Sequence, residues 1–142
     1  MQCVILAAGE GKRMRPLTSK RPKVMLPLAN RPMIEHLLCA ARDAGLDSFL
    51  FVVGYGEREI RRYFGDGSSF SVEIEYVTQR HQRGTADALS VSRDQVGEEF
   101  LLMNGDMVLE SADIRALAGK QDPCMGIFPS AHPEDYGVVQ LE

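Results

Sequence analysis

Residues 1–27 of the chain read MQCVILAAGEGKRMRPLTSKRPKVMLP. Residues 2–6 are a short apolar run that passes directly into Ala-Ala-Gly, a pattern typical of a buried strand that ends in a tight loop. Residues 9–31 then contain two glycines, three prolines and several basic residues, without a helical period. The sequence therefore predicts a strand followed by a loop, and a loop of this length in a small domain points to function.

Downstream of this loop, strand patterns and helix patterns alternate. Apolar runs of strand length lie at residues 48–53, 72–77, 100–103, 124–128 and 137–141. Segments with helical periodicity lie at residues 32–45, 57–64, from 85 onward, and 111–118. This alternation predicts one α/β unit over residues 1–142, a Rossmann-like, mainly parallel sheet with helices on both faces.

Composition and charge exclude several classes of protein. Apolar residues make up 44% and charged residues 25% of the chain, and no apolar run is long enough to span a membrane. Three widely spaced cysteines form neither a disulfide framework nor a CxxC metal pair, which favours a reducing, cytoplasmic setting. The net charge is −4, yet residues 1–31 carry seven basic residues and one acid. This pattern favours a local anion-binding loop over a nucleic-acid surface, and on charge alone a solvated basic loop that binds nothing is an equal alternative.

The glycine-containing loop has the features of a phosphate cradle. Small residues at positions 7–9 allow the backbone to approach a ligand closely, and Gly9 and Gly11 permit unusual dihedrals. Backbone N–H groups there, with Lys12 and Arg13 beside them, are suited to phosphates. Two commoner motifs do not match: a dinucleotide fingerprint needs glycine where Met14 stands, and a P-loop needs other residues at positions 6 and 13.

Three segments follow predicted strands and therefore meet at one edge of the sheet. They are residues 6–9, 79–85 and 104–106. Ligands of open parallel sheets bind outside the carboxyl ends of the strands. The sequence thus predicts one ligand-binding site at this edge.

The segment LAAGEGKRMRPLTSKRPKVMLPL, residues 6–28, resembles the signature of sugar-1-phosphate nucleotidyltransferases, LAAGxGxRMxPLT followed by PKxMLP. A distant branch that cytidylylates the molybdenum cofactor shares LAAGxSxRM but lacks the continuation. Further matches follow in the family's order: Gln79, Gly84-Thr85-Ala86, Asn104-Gly105-Asp106 and Tyr136-Gly137. The resemblance extends over the whole chain.

The resemblance implies a role for each matching residue. Arg13 is expected to hold the departing phosphates and Lys23 the phosphate near the reacting phosphorus, while Asp106 is expected to bind Mg²⁺. The nucleotide-binding residues implied are Leu6, Ala7, Ala8, Gly9, Gly11, Lys12, Gln79, Gly84 and Thr85. Among these, Gln79 is expected to read the pyrimidine edge. The sugar-binding residues implied are Asn104, Gly105 and Gly137.

The activity implied is transfer of a nucleotidyl group from UTP or dTTP to a sugar 1-phosphate, which releases pyrophosphate. The family's catalytic domain continues beyond the Tyr136-Gly137 strand, so we expect the chain to be an N-terminal portion, truncated on its C-terminal side. We expect weak nucleotide binding, and self-association or a homo-oligomer through an unpaired sheet edge. A non-catalytic nucleotide-binding regulatory module and a mannose-1-phosphate guanylyltransferase remain open as alternatives. A dinucleotide-dependent oxidoreductase is not supported.

Overall fold

A computed structural model of the chain describes residues 1–135 and 137–139. The strands are β1 (Gln2–Ala7), β2 (Pro27–Leu28), β3 (Arg31–Pro32), β4 (Ser48–Val53), β5 (Glu73–Thr78) and β6 (Phe100–Asn104). The α-helices are α1 (Met33–Asp43), α2 (Glu57–Phe64), α3 (Thr85–Ser90) and α4 (Ser111–Ala118). The predicted α/β class is confirmed.

Four of the strands form one parallel sheet in the order β5-β4-β1-β6. The register pairs Leu6 at the end of β1 with Val52 of β4 and with Asn104 of β6. Val53 is paired with Thr78, the last residue of β5. Because all four strands run in the same direction, their carboxyl ends lie along one edge of the sheet.

Side chains alternate between the two faces of the sheet and form two apolar clusters. Cys3 and Ile5 belong to the larger cluster, which α1, α2 and α4 cover with buried residues such as Ile114. Val4 belongs to the smaller cluster, which α3 covers with Ala88. Helices therefore lie on both faces, as predicted. Most of the apolar core lies on the face that α1, α2 and α4 cover.

The long loop after β1 is anchored to the body at several points. It contains two short 3₁₀ turns, Lys12–Met14 and Lys23–Met25, followed by the β2–β3 hairpin. Thr18 is fully buried and its hydroxyl donates to the Gly11 carbonyl oxygen at 2.9 Å. The Tyr55 hydroxyl donates to the Ser19 carbonyl oxygen at 2.9 Å. The loop is therefore a folded part of the structure, although its sequence shows no helical or strand period.

The prediction of a strand at residues 124–128 is wrong. This segment has no regular secondary structure and its side chains are exposed. Apolar composition alone is a weak indication of a strand, because β-propensity depends strongly on context. Of the strand predicted at 137–141, residues 137–139 are not in a strand, and residues 140 and 141 lie outside the described residues.

Within residues 1–135 and 137–139, β6 is an edge strand of the sheet and pairs with β1 alone. The side chains of Phe100 and Leu102 are each 37% exposed. The edge strand of a sheet can pair with another chain, which is the basis for expecting self-association. Self-association stays a prediction. Within residues 1–135 and 137–139, no helix combines the length and apolar character needed to cross a membrane.

Candidate active site

A cleft of about 270 Å³ opens at the carboxyl ends of the parallel strands. It is lined by ten of the predicted site residues: Leu6, Ala8, Gly9, Gly11, Lys23, Gln79, Gly84, Thr85, Asn104 and Asp106. Val24, Gln82 and Ala88 complete the wall. The three sequence segments predicted to converge at this edge therefore do meet, and they form one cavity.

Backbone hydrogen bonds hold these segments together. The Gly105 N–H donates to the Leu6 carbonyl oxygen at 2.8 Å, which joins the end of β6 to the end of β1. The Gln79 N–H donates to the Val53 carbonyl oxygen at 2.8 Å and thus continues the pairing of β5 with β4. The sheet itself therefore positions the floor of the cleft, so these residues lie on a rigid scaffold.

Lys23 and Asp106 form an ion pair inside the cleft. The Lys23 Nζ lies 2.5 Å from the Asp106 Oδ2, although the two residues are 83 positions apart in the chain. Their side chains are about one third exposed, at 34% and 36%. The pair is accessible to solvent and to a ligand, and each charge at present neutralises the other.

The Lys23 side chain packs against Gly11 of the phosphate-cradle loop, which comprises residues 7–13. Gly11 has a φ of +70°, and a Cβ added there would lie 2.8 Å from the Lys23 Cβ. Behind Lys23, Val24 and Met25 are buried at 4% exposure each and attach the 3₁₀ turn to the core. Gly11 is therefore required both for its backbone conformation and for the space that Lys23 occupies.

The side-chain amide of Gln79 is hydrogen-bonded to residues at the start of α3. Gln79 is only 5% exposed. Its Nε2 donates to the Asp87 Oδ2 at 2.6 Å and, in a longer contact, to the Gly84 carbonyl oxygen at 3.4 Å. The amide that the resemblance assigns to base recognition is thus fixed in one orientation.

Two polar residues of this region were not among the predicted site residues. Gln82 lines the cleft, and its Nε2 donates to the Ala8 carbonyl oxygen at 2.9 Å, which links the loop after β5 to the loop after β1. Asp87 contacts Gln79 as described. An acid in the first turn of a helix is ordinarily explained by the helix dipole, so the sequence carries no signal for its contact with Gln79.

Five predicted site residues do not line the cleft. Lys12 and Arg13 lie on an exposed 3₁₀ turn, and Lys12 pairs with Glu10 at 3.8 Å. Ala7 and Gly105 are buried, Ala7 in the larger core cluster, while Gly137 is exposed outside the cleft. The ligand contacts predicted for Ala7, Lys12, Arg13, Gly105 and Gly137 stay predictions.

Asp106 can contribute one ligand to a divalent metal ion. Over residues 1–135 and 137–139 the structure contains no cluster of three or more His, Cys, Asp or Glu side chains suited to a metal. Mg²⁺, however, is commonly bound through one or two carboxylates together with water and substrate phosphates. A single accessible carboxylate in a cleft with Lys23 fits that mode of binding, and it does not fit a metal held by protein ligands alone.

Comparison with known proteins identifies the family. The family model described as Nucleotidyl transferase matches residues 2–142. The chain belongs to this family. The match extends over the described fold and every segment of the cleft, so the resemblance drawn from residues 6–28 is confirmed.

Individual members of the nucleotidyl transferase family are similar over most of the chain. The bifunctional protein GlmU of Methanococcus maripaludis is 33% identical over 141 residues, which are 99% of this chain and 33% of that protein. UTP–glucose-1-phosphate uridylyltransferase AglF of Haloferax volcanii is 39% identical over 111 residues, 78% of this chain and 45% of that protein. The chain thus spans between a third and a half of the length of these curated relatives.

A solved structure supports the fold. A UDP-glucose pyrophosphorylase crystallised with UDP-glucose superimposes with a TM-score of 0.72 and 25% sequence identity. The superposition includes 82% of this chain and 51% of that chain. The parallel sheet with helices on both faces is therefore the fold of nucleotide-diphospho-sugar transferases.

Proposed function

We propose that the chain is the nucleotide-binding part of an enzyme that transfers a uridylyl or thymidylyl group from UTP or dTTP to a sugar 1-phosphate. A phosphate oxygen of the sugar 1-phosphate attacks the α-phosphorus of the nucleoside triphosphate. The bond from the α-phosphorus to the oxygen that bridges it to the β-phosphate breaks, and pyrophosphate leaves. The observation that carries the proposal is the cleft, in which the phosphate-cradle loop, Gln79 and the Lys23–Asp106 pair lie together.

The cleft suits this reaction because it combines charge with close backbone approach. Two anions must be brought together, so the cationic Lys23 contributes by neutralising and aligning phosphate. Ala8, Gly9 and Gly11 present a wall without bulky side chains, which allows main-chain N–H groups to reach the nucleotide. No nucleophilic side chain is required, since the attacking oxygen belongs to the sugar phosphate.

The Lys23–Asp106 pair would be exchanged for contacts with the ligand. In the proposed complex Lys23 binds a phosphate oxygen and Asp106 binds a divalent ion, which this family generally uses and which we propose to be Mg²⁺. The ion, when bound, neutralises phosphate charge. Because both side chains are accessible and both gain a partner of opposite charge, the exchange leaves neither charge unpaired.

Nucleotide binding by the chain tests this function without requiring turnover. UTP, dTTP, GTP and ATP are titrated calorimetrically with excess Mg²⁺. We expect binding of UTP and dTTP in preference to GTP and ATP. In Lys23→Gln the affinity for UTP should fall about tenfold or more, the size of one lost hydrogen bond to a charged group.

Lys20→Gln is the matched control, because Lys20 is an exposed cation of the same loop and does not line the cleft. Its UTP affinity should stay within about twofold of the wild type, since an exposed charge outside the cleft is screened by solvent and salt. Equal losses in the two variants would show that only the general positive charge of the loop matters. Absence of UTP and dTTP binding, or a preference for GTP, would contradict the proposed function.

A further inference from the structure

The Gln79 amide has one possible orientation in this structure. Its two partners, the Asp87 carboxylate and the Gly84 carbonyl, are both acceptors, so the NH₂ group must face them. Orientation of a glutamine amide is usually ambiguous, but here the chemistry of the partners determines it. The oxygen Oε1 consequently points away from α3.

The Gln79 oxygen is available to a ligand. Among residues 1–135 and 137–139 no donor is hydrogen-bonded to Oε1, although the residue as a whole is only 5% exposed. Oε1 is also not one of the fully enclosed, unsatisfied polar atoms, and Gln79 lines the cleft. An acceptor without a partner therefore remains at the wall of the cleft, where a ligand with an N–H group could satisfy it.

We propose that Asp87 is a positioning residue that sets base selectivity through Gln79. By accepting from Nε2, the carboxylate holds Oε1 as an acceptor toward the base. Uracil and thymine present an N–H at N3, whereas cytosine presents an unprotonated N3 that would face Oε1 lone pair to lone pair. This inference rests on the proposed function and concerns the same cleft.

An acceptor-only partner is essential to this role. Asp87 cannot donate while it is ionised, so Gln79 gains nothing by turning its amide over. An asparagine at position 87 could donate from its own NH₂ group to Oε1. The contact that would remain to oppose reversal, with the Gly84 carbonyl, is long at 3.4 Å, so the Gln79 amide could reverse and present its NH₂ group to the base. Cytosine would then be accepted, because its N3 can receive that hydrogen bond.

The test compares the ratio of UTP affinity to CTP affinity in wild type and Asp87→Asn, by calorimetry with Mg²⁺. The wild type should prefer UTP. In the variant the ratio of UTP affinity to CTP affinity should fall about tenfold, because uracil loses a hydrogen bond to Gln79 and cytosine gains one. The ratio also cancels the general gain in affinity for anions on removal of a negative charge. Asp94→Asn removes the same charge from an exposed site on the turn after α3 and should leave the ratio unchanged.

A double-mutant comparison separates positioning from a general structural effect. Asp87 acts through Gln79, so in a Gln79→Ala background the change Asp87→Asn should no longer alter the ratio. An unchanged ratio in Asp87→Asn alone, or an equal change in both backgrounds, overturns the inference while leaving the proposed function intact. Failure of the wild type to bind UTP or dTTP overturns both.

Discussion

At the scale of single residues, the position of the Lys23 ammonium group depends on a glycine beside its side chain. Gly11 adopts a left-handed conformation that a residue with a Cβ enters at a cost of about 1–2 kcal/mol. The same Cβ would approach the Lys23 Cβ to 2.8 Å. A side chain at position 11 would therefore strain the backbone and also displace Lys23, which forms the ion pair with Asp106.

Gly11→Ala should lower both the stability and the UTP affinity of the chain. The free energy of unfolding should fall by about 1–2 kcal/mol from the backbone alone, and Lys23 should be displaced from the phosphate. Urea unfolding and UTP titration measure the two effects. Gly9→Ala is the matched control for stability, because Gly9 has an ordinary φ and no atom within 4 Å of an added Cβ. A Gly11→Ala protein as stable as Gly9→Ala would contradict the strain argument.

The segments that line the cleft could be located from the sequence where a motif was contiguous. The loop that contains Gly9 and Gly11 and the residues that follow β5 and β6 could be located because each directly follows a strand pattern. The ion pair of Lys23 with Asp106 could not be predicted, since it joins positions 83 residues apart. Such a contact depends on how two loops approach in space, which no local pattern contains.

At the scale of elements, α1 and α2 are joined by a hydrogen bond at the side of the core. The Tyr63 hydroxyl of α2 donates to the Glu35 Oε2 of α1 at 2.6 Å, and Glu35 is 7% exposed. Arg31 lies 3.6 Å from the same carboxylate. The hydrogen bond to Glu35, followed by desolvation, raises the pKa of Tyr63 to about 12 from its ordinary value of 10.0.

This shift predicts a loss of stability in alkaline solution. Between about pH 10 and about pH 12 the unfolded chain releases the Tyr63 proton and the folded chain keeps it, so the free energy of unfolding falls as pH rises. Urea unfolding of Tyr63→Phe should show a shallower fall across this interval. It should not become flat, because burial raises the pKa of Tyr76 to about 12 as well.

Glu35→Gln provides the matched comparison for this element pair. It replaces the carboxylate by an uncharged amide, whose hydrogen bond with the Tyr63 hydroxyl is weaker, so the pKa of Tyr63, followed by ultraviolet titration of the phenolate, should move down toward its ordinary value. A titration curve identical to that of the wild type would contradict the assigned cause.

Element predictions depended on how clearly each pattern was bounded. The strand Ser48–Val53 and the helix Glu57–Phe64 were predicted with their observed bounds, because an apolar run or a periodic segment ends at a turn residue. For the helix Ser111–Ala118 the end was predicted, but Ser111 was expected as its cap and is its first residue, with Glu110 at the cap position. Residues 124–128 have the composition of a strand and are not one. The apolar composition of a segment indicates that it could be buried, but it does not determine whether the segment forms a strand.

At the scale of the whole molecule, the parallel sheet brings the loops after β1, β5 and β6 to one edge. The fold class and the position of the cleft follow from strand and helix alternation alone. The choice of nucleotide does not follow from the fold, because the same sheet edge can bind many ligands. It depends on the few side chains that face the cleft, among which Asp106 and Lys23 carry the charge.

The most direct test of the central claim is a UTP titration of wild type and Asp106→Asn, each with excess Mg²⁺ and with a chelator. In the wild type, Mg²⁺ should raise the UTP affinity about tenfold or more. In Asp106→Asn, Lys23 no longer has a charged partner. With chelator present, the variant should therefore bind UTP at least as tightly as the wild type does. Mg²⁺ should then raise the UTP affinity of the variant only slightly. Asp113→Asn, an exposed acid in α4, should behave as the wild type does. Equal gains from Mg²⁺ in wild type and Asp106→Asn would contradict the account.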